Sequence, residues 1–359
     1  MTTSLEPIEA VSQRLDKFLS EQLSYASTLG PEAETLTRSG ASALRGGKRL
    51  RARFCLTGWH AVAGGERRFD DAALAVATAL EIFHAAALVH DDLVDNSDTR
   101  RGQPAAHRAL QNSHREAGWT GDSDAFGRSG AILLGDLLVA WSDDLLEEGL
   151  ADSPTAAATR RAYAQMRRDV TIGQFLDVAE ESAYTVYPDD AHADRALRVA
   201  SYKSARYSIQ QPLQIGAALA GADDAQITAL GRFGHDVGMA FQLRDDVLGV
   251  FGDTAETGKP VGDDLREGKR TVLVAYARER LPLEDRRRMD GLLGDPALDA
   301  EQIGILQRTI VDTDALARTE ELIADFARRA DDALTDAPLG VEAVAELRAL
   351  ARAATQRTA

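Results

Sequence analysis

Residues 88–107 read LVHDDLVDNSDTRRGQPAAH. Asp91, Asp92 and Asp95 fall within five positions, and Arg100 and Arg101 follow close behind. On a helix, positions four apart share a face, so Asp91 and Asp95 point the same way, with Asp92 about 100° around. The same face traced backwards carries Leu88 and then His84. Two like carboxylates ~4 Å apart repel by roughly 4 kcal/mol at an effective dielectric of 20. Acids at a helix C-terminus also oppose the helix dipole, so helix stability does not explain them. Two readings stand. One is a solvated helix end followed by a charged loop. The other is a metal and phosphate site, in which one or two carboxylates and phosphate oxygens hold Mg²⁺ and guanidinium groups grip phosphate.

A second acidic stretch occurs at residues 238–253, GMAFQLRDDVLGVFGD. Gln242, Asp245 and Asp246 share a helical face there. The fifth position of a D-D-x-x-D pattern is Gly249, so this half carries one carboxylate fewer. Two such clusters on separate helices can line one bundle cavity. Basic groups recur near both: Lys48, Arg49 and Arg51 after the double glycine of RGGKRLRARF, Lys203 with Ser204 in SYKSARYS, Lys259 in TGKP, and Lys269 and Arg270 in EGKRT. Glycine lets backbone N–H groups approach an anion, although the spacing is not that of a P-loop. Each basic residue alone reads as a solvated surface group. Their grouping in a chain of net charge −16 is what points to a local anion pocket.

The elements that must position these groups are helices. Helical periodicity predicts helices over 8–28, 34–45, 48–63, 70–95, 104–113, 127–149, 155–182, 190–220, 223–252, 270–280, 284–293, 300–331 and 340–355, and no segment alternates with the period of a strand. Short Gly-, Pro- and Asp-rich breaks join antiparallel neighbours, as in a helical bundle. The expected architecture is a single large all-α domain over 1–359 around a central cavity. With 44% apolar and only 6% aromatic residues, a helical core is favoured over a sandwich or barrel. The acidic balance argues against a general nucleic-acid or anionic-membrane binder. A lone cysteine, Cys55, rules out an intrachain disulfide and fits a reducing, cytoplasmic setting. The N-terminal residues show no basic region followed by an apolar one, so no signal peptide is expected. The most apolar run, 72–89, is interrupted by Glu81 and His84 and reads as a buried helix rather than a membrane span. His90 lies off the acidic stripe and reads as structural.

Together, DDLVDNSDTRRG, GGKRLR and FQLRDD followed by GDDLREGKRT resemble the trans-isoprenyl diphosphate synthases, from about residue 45 to 271. The resemblance implies the isoprenoid synthase fold, usually in a homodimer, and Mg²⁺-dependent condensation of isopentenyl diphosphate with an allylic diphosphate. By that resemblance Asp91 and Asp95, with Asp92 in support, and Asp245, with Asp246 beside it, would hold three Mg²⁺ ions. Lys48, Arg51, His84 and Arg101 would hold isopentenyl diphosphate. Arg100, Lys203, Ser204, Gln242 and Lys259 would hold the allylic diphosphate. Three departures stand out: Gly249 replaces the last acid of the second motif, Ala52 stands where proline is frequent, and Ser204 where threonine is frequent.

The reaction so implied ionises the allylic diphosphate, adds the double bond of isopentenyl diphosphate to the cation, and loses a proton. Three Mg²⁺ would bring about +6 against about −3 from the acids and about −3 from a diphosphate ester, so the leaving group is neutralised. In the family a bulky residue four or five positions before the first acid closes the product pocket early. Here those positions hold Ala87 and Ala86, and Phe83 lies two turns from Asp91. The expectation is therefore geranylgeranyl diphosphate (C20), with a longer-chain polyprenyl synthase next. A class I terpene cyclase would not need Lys48, Arg51 and His84, and usually carries an N-x-x-x-S-x-x-x-E motif not found here. A non-catalytic subunit of a partner synthase tends to lose acids that this chain retains.

Overall fold

The computed structural model describes residues 6–64, 69–252 and 261–355. The chain folds as two compact units, Met1–Ala157 and Ala158–Ala359. Both are built of helices. A two-residue antiparallel pair, Thr99–Arg100 with Gln103–Pro104, is the sole strand pairing among the described residues.

The first unit contains α1 (Pro7–Ser27), α2 (Pro31–Ala43), α3 (Leu50–Ala63), α4 (Asp71–Val94), α5 (Ala106–Glu116) and α6 (Ser123–Leu150). Asp70 starts α4 by accepting from the Ala73 amide at 2.7 Å, which satisfies one of the orphan donors of a helix start. Helix α4 packs along α6 and also against α3 and α1. Its Leu80 and Ile82 are fully buried, each contributing about 2 kcal/mol of transfer free energy. By length and composition α4 could cross a membrane, but 72% of its most apolar window is buried inside the protein. That is the burial expected of a core helix.

The second unit takes in α7 (Ala156–Ala183) from Ala158 onward, then α8 (His192–Val199), a π-helical segment (Ala200–Gln210) and α9 (Gln211–Leu219). There follow α10 (Asp224–Phe251), α11 (Asp263–Glu267), α12 (Val272–Arg280), α13 (Leu283–Leu292), α14 (Ala300–Asp312), α15 (Ala315–Ala333) and α16 (Val341–Thr355). Helix α10 is central, packing against the π-helical segment and α15. Its Met239, Leu243, Val247 and Val250 join Leu273, Leu306, Ile310 and Phe326 in one apolar core.

The helix expected over 190–220 is thus three segments, with the wider π turn in the middle. The helix expected over 300–331 breaks at Asp314, which has φ +57°. Asp314 side-chain chemistry tolerates this left-handed conformation better than most residues do.

Candidate active site

The first acidic cluster sits on the last turn of α4. Most of this helix is buried, yet His84, Ala87, Leu88 and Asp91 are half-exposed and Asp95 is exposed. The stripe named from sequence is therefore the open edge of a core helix. Asp92 points inward and is buried. Arg100 reaches back to it: Nε donates to Asp92 Oδ1 at 2.8 Å, Nη2 to the same oxygen, and Nη2 to Asp91 Oδ2 at 3.4 Å. Burial pushes the Asp92 carboxyl above its usual range, and the Arg100 hydrogen bond only partly offsets this. Burial works against the charged Arg100, but Asp92, with Asp91 and Asp95, outweighs it and raises the guanidinium's pKa.

A tight turn places the two arginines. Arg101 and Gly102 both have left-handed φ, +54° and +72°, between the paired residues Thr99–Arg100 and Gln103–Pro104. Two successive positive φ values suit the twist of a two-residue hairpin. Arg101 then lies over the double glycine: Nη1 donates to the Arg45 carbonyl at 2.9 Å. A Cβ on Gly47 would lie 2.9 Å from Arg101 Nη2.

The double glycine leads into α3 through Arg49, itself at φ +50°. Helix α3 has no capping side chain of its own. Glu81, buried on α4, serves instead: its Oε1 accepts from the Ala52 amide at 2.9 Å, and its Oε2 lies 3.8 Å from Arg49. Proline at 52 would have no N–H to give Glu81. Arg51 is half-buried and Lys48 exposed. His84 feels burial first, and then the charges of Arg51, Arg101, Arg100 and Arg49, all of which hold its pKa well below the ordinary value. His84 is therefore neutral near pH 7, in a field of positive charge that suits an anion.

In the second unit, Gln242 Nε2 donates to Asp246 Oδ1 at 2.7 Å. Asp246 is buried and its pKa is pushed up to about 8, by burial first and the nearby Asp264 charge second. Asp245 is half-exposed. Lys203 and Ser204 lie on the π-helical segment and are half-exposed. Lys203 Nζ donates to Asp177 Oδ2 on α7 at 2.5 Å. Gly173, one turn earlier, allows that approach, because a Cβ there would meet Lys203 N at 2.4 Å. Lys269 pairs with Asp264 at 3.3 Å and Glu267 at 2.7 Å, and Arg270 with Asp290 at 3.1 Å. Lys259 lies outside the described residues.

The oxygen donors suit Mg²⁺. Asp91, Asp95 and Asp245 are accessible, while Asp92 and Asp246 are buried and engaged. Among the described residues no three His, Cys, Asp or Glu side chains converge as a ready-made cage. Mg²⁺ is commonly held by one or two carboxylates, with the remaining oxygens from water and phosphate. Three partners were not singled out from sequence: Glu81, Asp177 and Asp264. Glu81 had a signal, as the one acid in an apolar run, and Asp264 lies within the quoted GDDLREGKRT; Asp177 looked like an ordinary surface acid.

The polyprenyl synthetase family model matches residues 33–309. The chain belongs to the polyprenyl synthetase family. It is a prenyltransferase of that Mg²⁺-dependent family, whose substrates are isopentenyl and allylic diphosphates. It is 33% identical over 279 residues, 77% of each chain, to a short chain isoprenyl diphosphate synthase of Methanothermobacter thermautotrophicus. It is 33% identical over 261 residues to the geranylgeranyl diphosphate synthase of Sulfolobus acidocaldarius, covering 72% of this chain and 71% of that one. A crystal structure of geranylgeranyl pyrophosphate synthase from Corynebacterium glutamicum, complexed with isoprenyl diphosphate and magnesium, superposes with a TM-score of 0.90. The two are 38% identical, and the match covers 98% of both chains. This polyprenyl synthetase thus shares the helical fold of those enzymes.

Proposed function

We propose that this prenyltransferase condenses isopentenyl diphosphate with an allylic diphosphate, releases inorganic diphosphate, and makes geranylgeranyl diphosphate. The observation that carries this is the open stripe His84–Leu88–Asp91–Asp95 on a buried helix, lying in the field of four arginines. Acids for a hydrated cation and guanidinium groups for phosphate meet at one helix end.

In this reading Asp91, Asp95 and Asp245 hold Mg²⁺, three ions in all. Bound there, the metal would supply positive charge to the departing diphosphate. Asp92 does not reach for the metal; it fixes the Arg100 guanidinium, which is thereby aimed along the acidic edge. Arg100, Lys203, Ser204, Gln242 and Lys259 take the allylic diphosphate. Lys48, Arg51, Arg101 and a neutral His84 take isopentenyl diphosphate, His84 serving as a hydrogen-bonding group without adding charge. Asp177 orients Lys203 through their ion pair. No side-chain nucleophile is required, because the attacking electrons come from a double bond.

Small residues support the C20 product. Ala86 is buried and Ala87 half-exposed, and neither can close a pocket as a bulky side chain would. Phe83, buried at 6% exposure, lies about 12 Å along the helix from Asp91 and forms the floor. The family match runs from 33 to 309 and takes in residues of both compact units, which supports reading them as parts of one isoprenoid synthase domain. Exposed apolar side chains on α6 (Phe126, Ile132, Leu133) and on α7 (Ile172, Phe175) support a homodimer. The single reduced cysteine supports a cytoplasmic setting.

The test is to incubate pure protein with Mg²⁺, isopentenyl diphosphate and dimethylallyl, geranyl or farnesyl diphosphate in turn, then chromatograph the dephosphorylated products. Geranylgeraniol is expected from each primer. Absence of elongation from all three would sink the synthase reading, and a cyclic hydrocarbon would point to a cyclase.

A further inference from the structure

A cavity of about 470 Å³ lies in the second unit, where α10 packs on the π-helical segment and α9. That is the usual size of a small-molecule site. Arg206, Gln210 and Gln214, spaced by four, line it from one side, and Thr228, Arg232 and His235 line it from α10. Gly231 keeps it open, because a Cβ there would lie 2.6 Å from Gln214 Nε2. His235 precedes Asp245 by ten residues, so the cavity stands about 15 Å along α10 from the second acidic motif. No aliphatic residue and no Phe, Tyr or Trp lines it. A prenyl tail would find nothing to pack against there.

The charge of this cavity is the reverse of the chain's. Three arginines and one acid, Asp236, line it, whereas the whole chain carries 57 acids against 41 lysines and arginines. Asp236 is already engaged. Arg329, from α15, donates to it through Nη2 at 2.5 Å and Nε at 3.2 Å, and His235 Nδ1 lies 3.1 Å away. Burial works against the Asp236 charge, but His235 and Arg329 outweigh it and hold the carboxyl below its usual range. Arg206 is held in place without being neutralised. Its guanidinium stacks on Tyr202 at 4.0 Å, its Nε donates to Ser201 Oγ at 3.3 Å, and its Nη1 stays 3.7 Å from Asp169, beyond hydrogen-bond reach. Arg232 is exposed and has no partner among the described residues.

We propose that this cavity binds a small phosphate-bearing anion without an apolar tail, at a site apart from the second acidic motif. Guanidinium forks placed around one space suit the several oxygens of phosphate, whereas a carboxylate has only two to share among them. Arg232 supplies the free charge and Arg206 the fixed fork, while Arg329 holds Asp236 back. The ligand is either a free inorganic phosphate or diphosphate, or a hydrophilic phosphate ester. The rival is a set of surface arginines that serves solubility alone. The proposal is independent of the synthase reading.

The experiment titrates the full chain by calorimetry in Mg²⁺-free buffer, with inorganic diphosphate and separately with glycerol 3-phosphate. Wild type is compared with R232E, R206Q and R287E, and thermal midpoints are recorded for all four. Arg287 is exposed on α13, away from the lining residues, so R287E changes net charge as R232E does. The proposal expects a binding event in wild type that weakens about tenfold in R232E and R206Q, the scale of one charge-assisted contact, and persists in R287E. R232E should keep its thermal midpoint and its prenyl-transfer rate with Mg²⁺. Binding of diphosphate alone assigns the cavity to a free inorganic anion, and comparable binding of glycerol 3-phosphate assigns it to a phosphate ester; either sustains the proposal. No binding of either probe to wild type, unchanged affinity in R232E or in R206Q, or an equal loss in R287E overturns it. None of these failures touches the synthase reading, which is tested by elongation of allylic primers.

Discussion

The Arg100 guanidinium closes on the Asp92 carboxylate, with Nε 2.8 Å from Oδ1 and a second contact from Nη2. Asp92 is buried, with its side chain 4% exposed, while Arg100 retains 31%. An acid in that position needs a fixed cation, because its desolvation would otherwise go uncompensated. The pair therefore couples the end of α4 to the hairpin that carries Arg100 and Arg101.

Arg100→Lys keeps the charge but loses the planar fork that serves Asp92 and Asp91 together. We expect a loss of about 1–2 kcal/mol in urea unfolding. In an Asp92→Asn background the same substitution should cost clearly less, because a neutral amide does not need a cation. Equal losses in the two backgrounds would show that the pair is not energetically coupled.

Gly47→Ala tests how Arg101 is held. Gly47 has φ +83°, and a Cβ there would lie 2.9 Å from Arg101 Nη2. The left-handed backbone costs alanine about 1 kcal/mol, and the contact moves the guanidinium. In steady-state kinetics the KM for isopentenyl diphosphate should rise several-fold, with that for the allylic diphosphate little changed. An equal rise in both would separate Arg101 from the isopentenyl side.

Much of this arrangement was legible in the residues. The edge of α4 could be traced because a buried helix announces its open face wherever polar residues interrupt an apolar run at helical spacing, as His84, Asp91 and Asp95 do at steps of seven and four. The acidic patterns and the double glycine are local, so their spacing survives into the structure. What was hidden is either too short or too distant. The strands around Arg101 have two residues each, below any alternation that could be read. The π turn that carries Lys203 leaves no side-chain period of its own. Glu81 bonding the Ala52 amide joins residues 29 positions apart, and Asp177 meeting Lys203 joins residues 26 apart. Such partners become visible only once helices are packed.

Asp246 makes stability depend on pH. Its pKa, ordinarily 3.8, is pushed up to about 8, by burial first and the charge of Asp264 second. The folded protein therefore holds that proton more tightly than the unfolded chain. The contribution is fully present below the ordinary carboxylate range and is lost as pH rises through about 8. In Mg²⁺-free buffer, the urea midpoint of wild type should fall between about pH 6 and about pH 9 relative to Asp246→Asn, which has no proton to lose. Each unit of difference corresponds to about 1.4 kcal/mol, so the gap should be measurable. Parallel curves for the two proteins would mean that Asp246 is ionised across the whole range.

Ala87→Phe tests the product pocket. Ala87 is half-exposed and one turn before Asp91, on the side of α4 that also carries His84 and Leu88. A phenyl ring there would stand about 6 Å from the first acid along the axis, at 1.5 Å per residue, whereas Phe83 stands about 12 Å away. An isoprenoid chain growing along this edge would meet the new ring one turn sooner. The product should therefore shift from C20 towards C15, with elongation from dimethylallyl diphosphate retained and elongation from farnesyl diphosphate reduced at least tenfold. The acids and arginines are untouched, so the KM for isopentenyl diphosphate should hold. Chromatography of the dephosphorylated products reads the outcome directly: a C20 product from Ala87→Phe at the wild-type rate would show that the chain does not grow past Ala87, and Phe83 would lose its place as the floor.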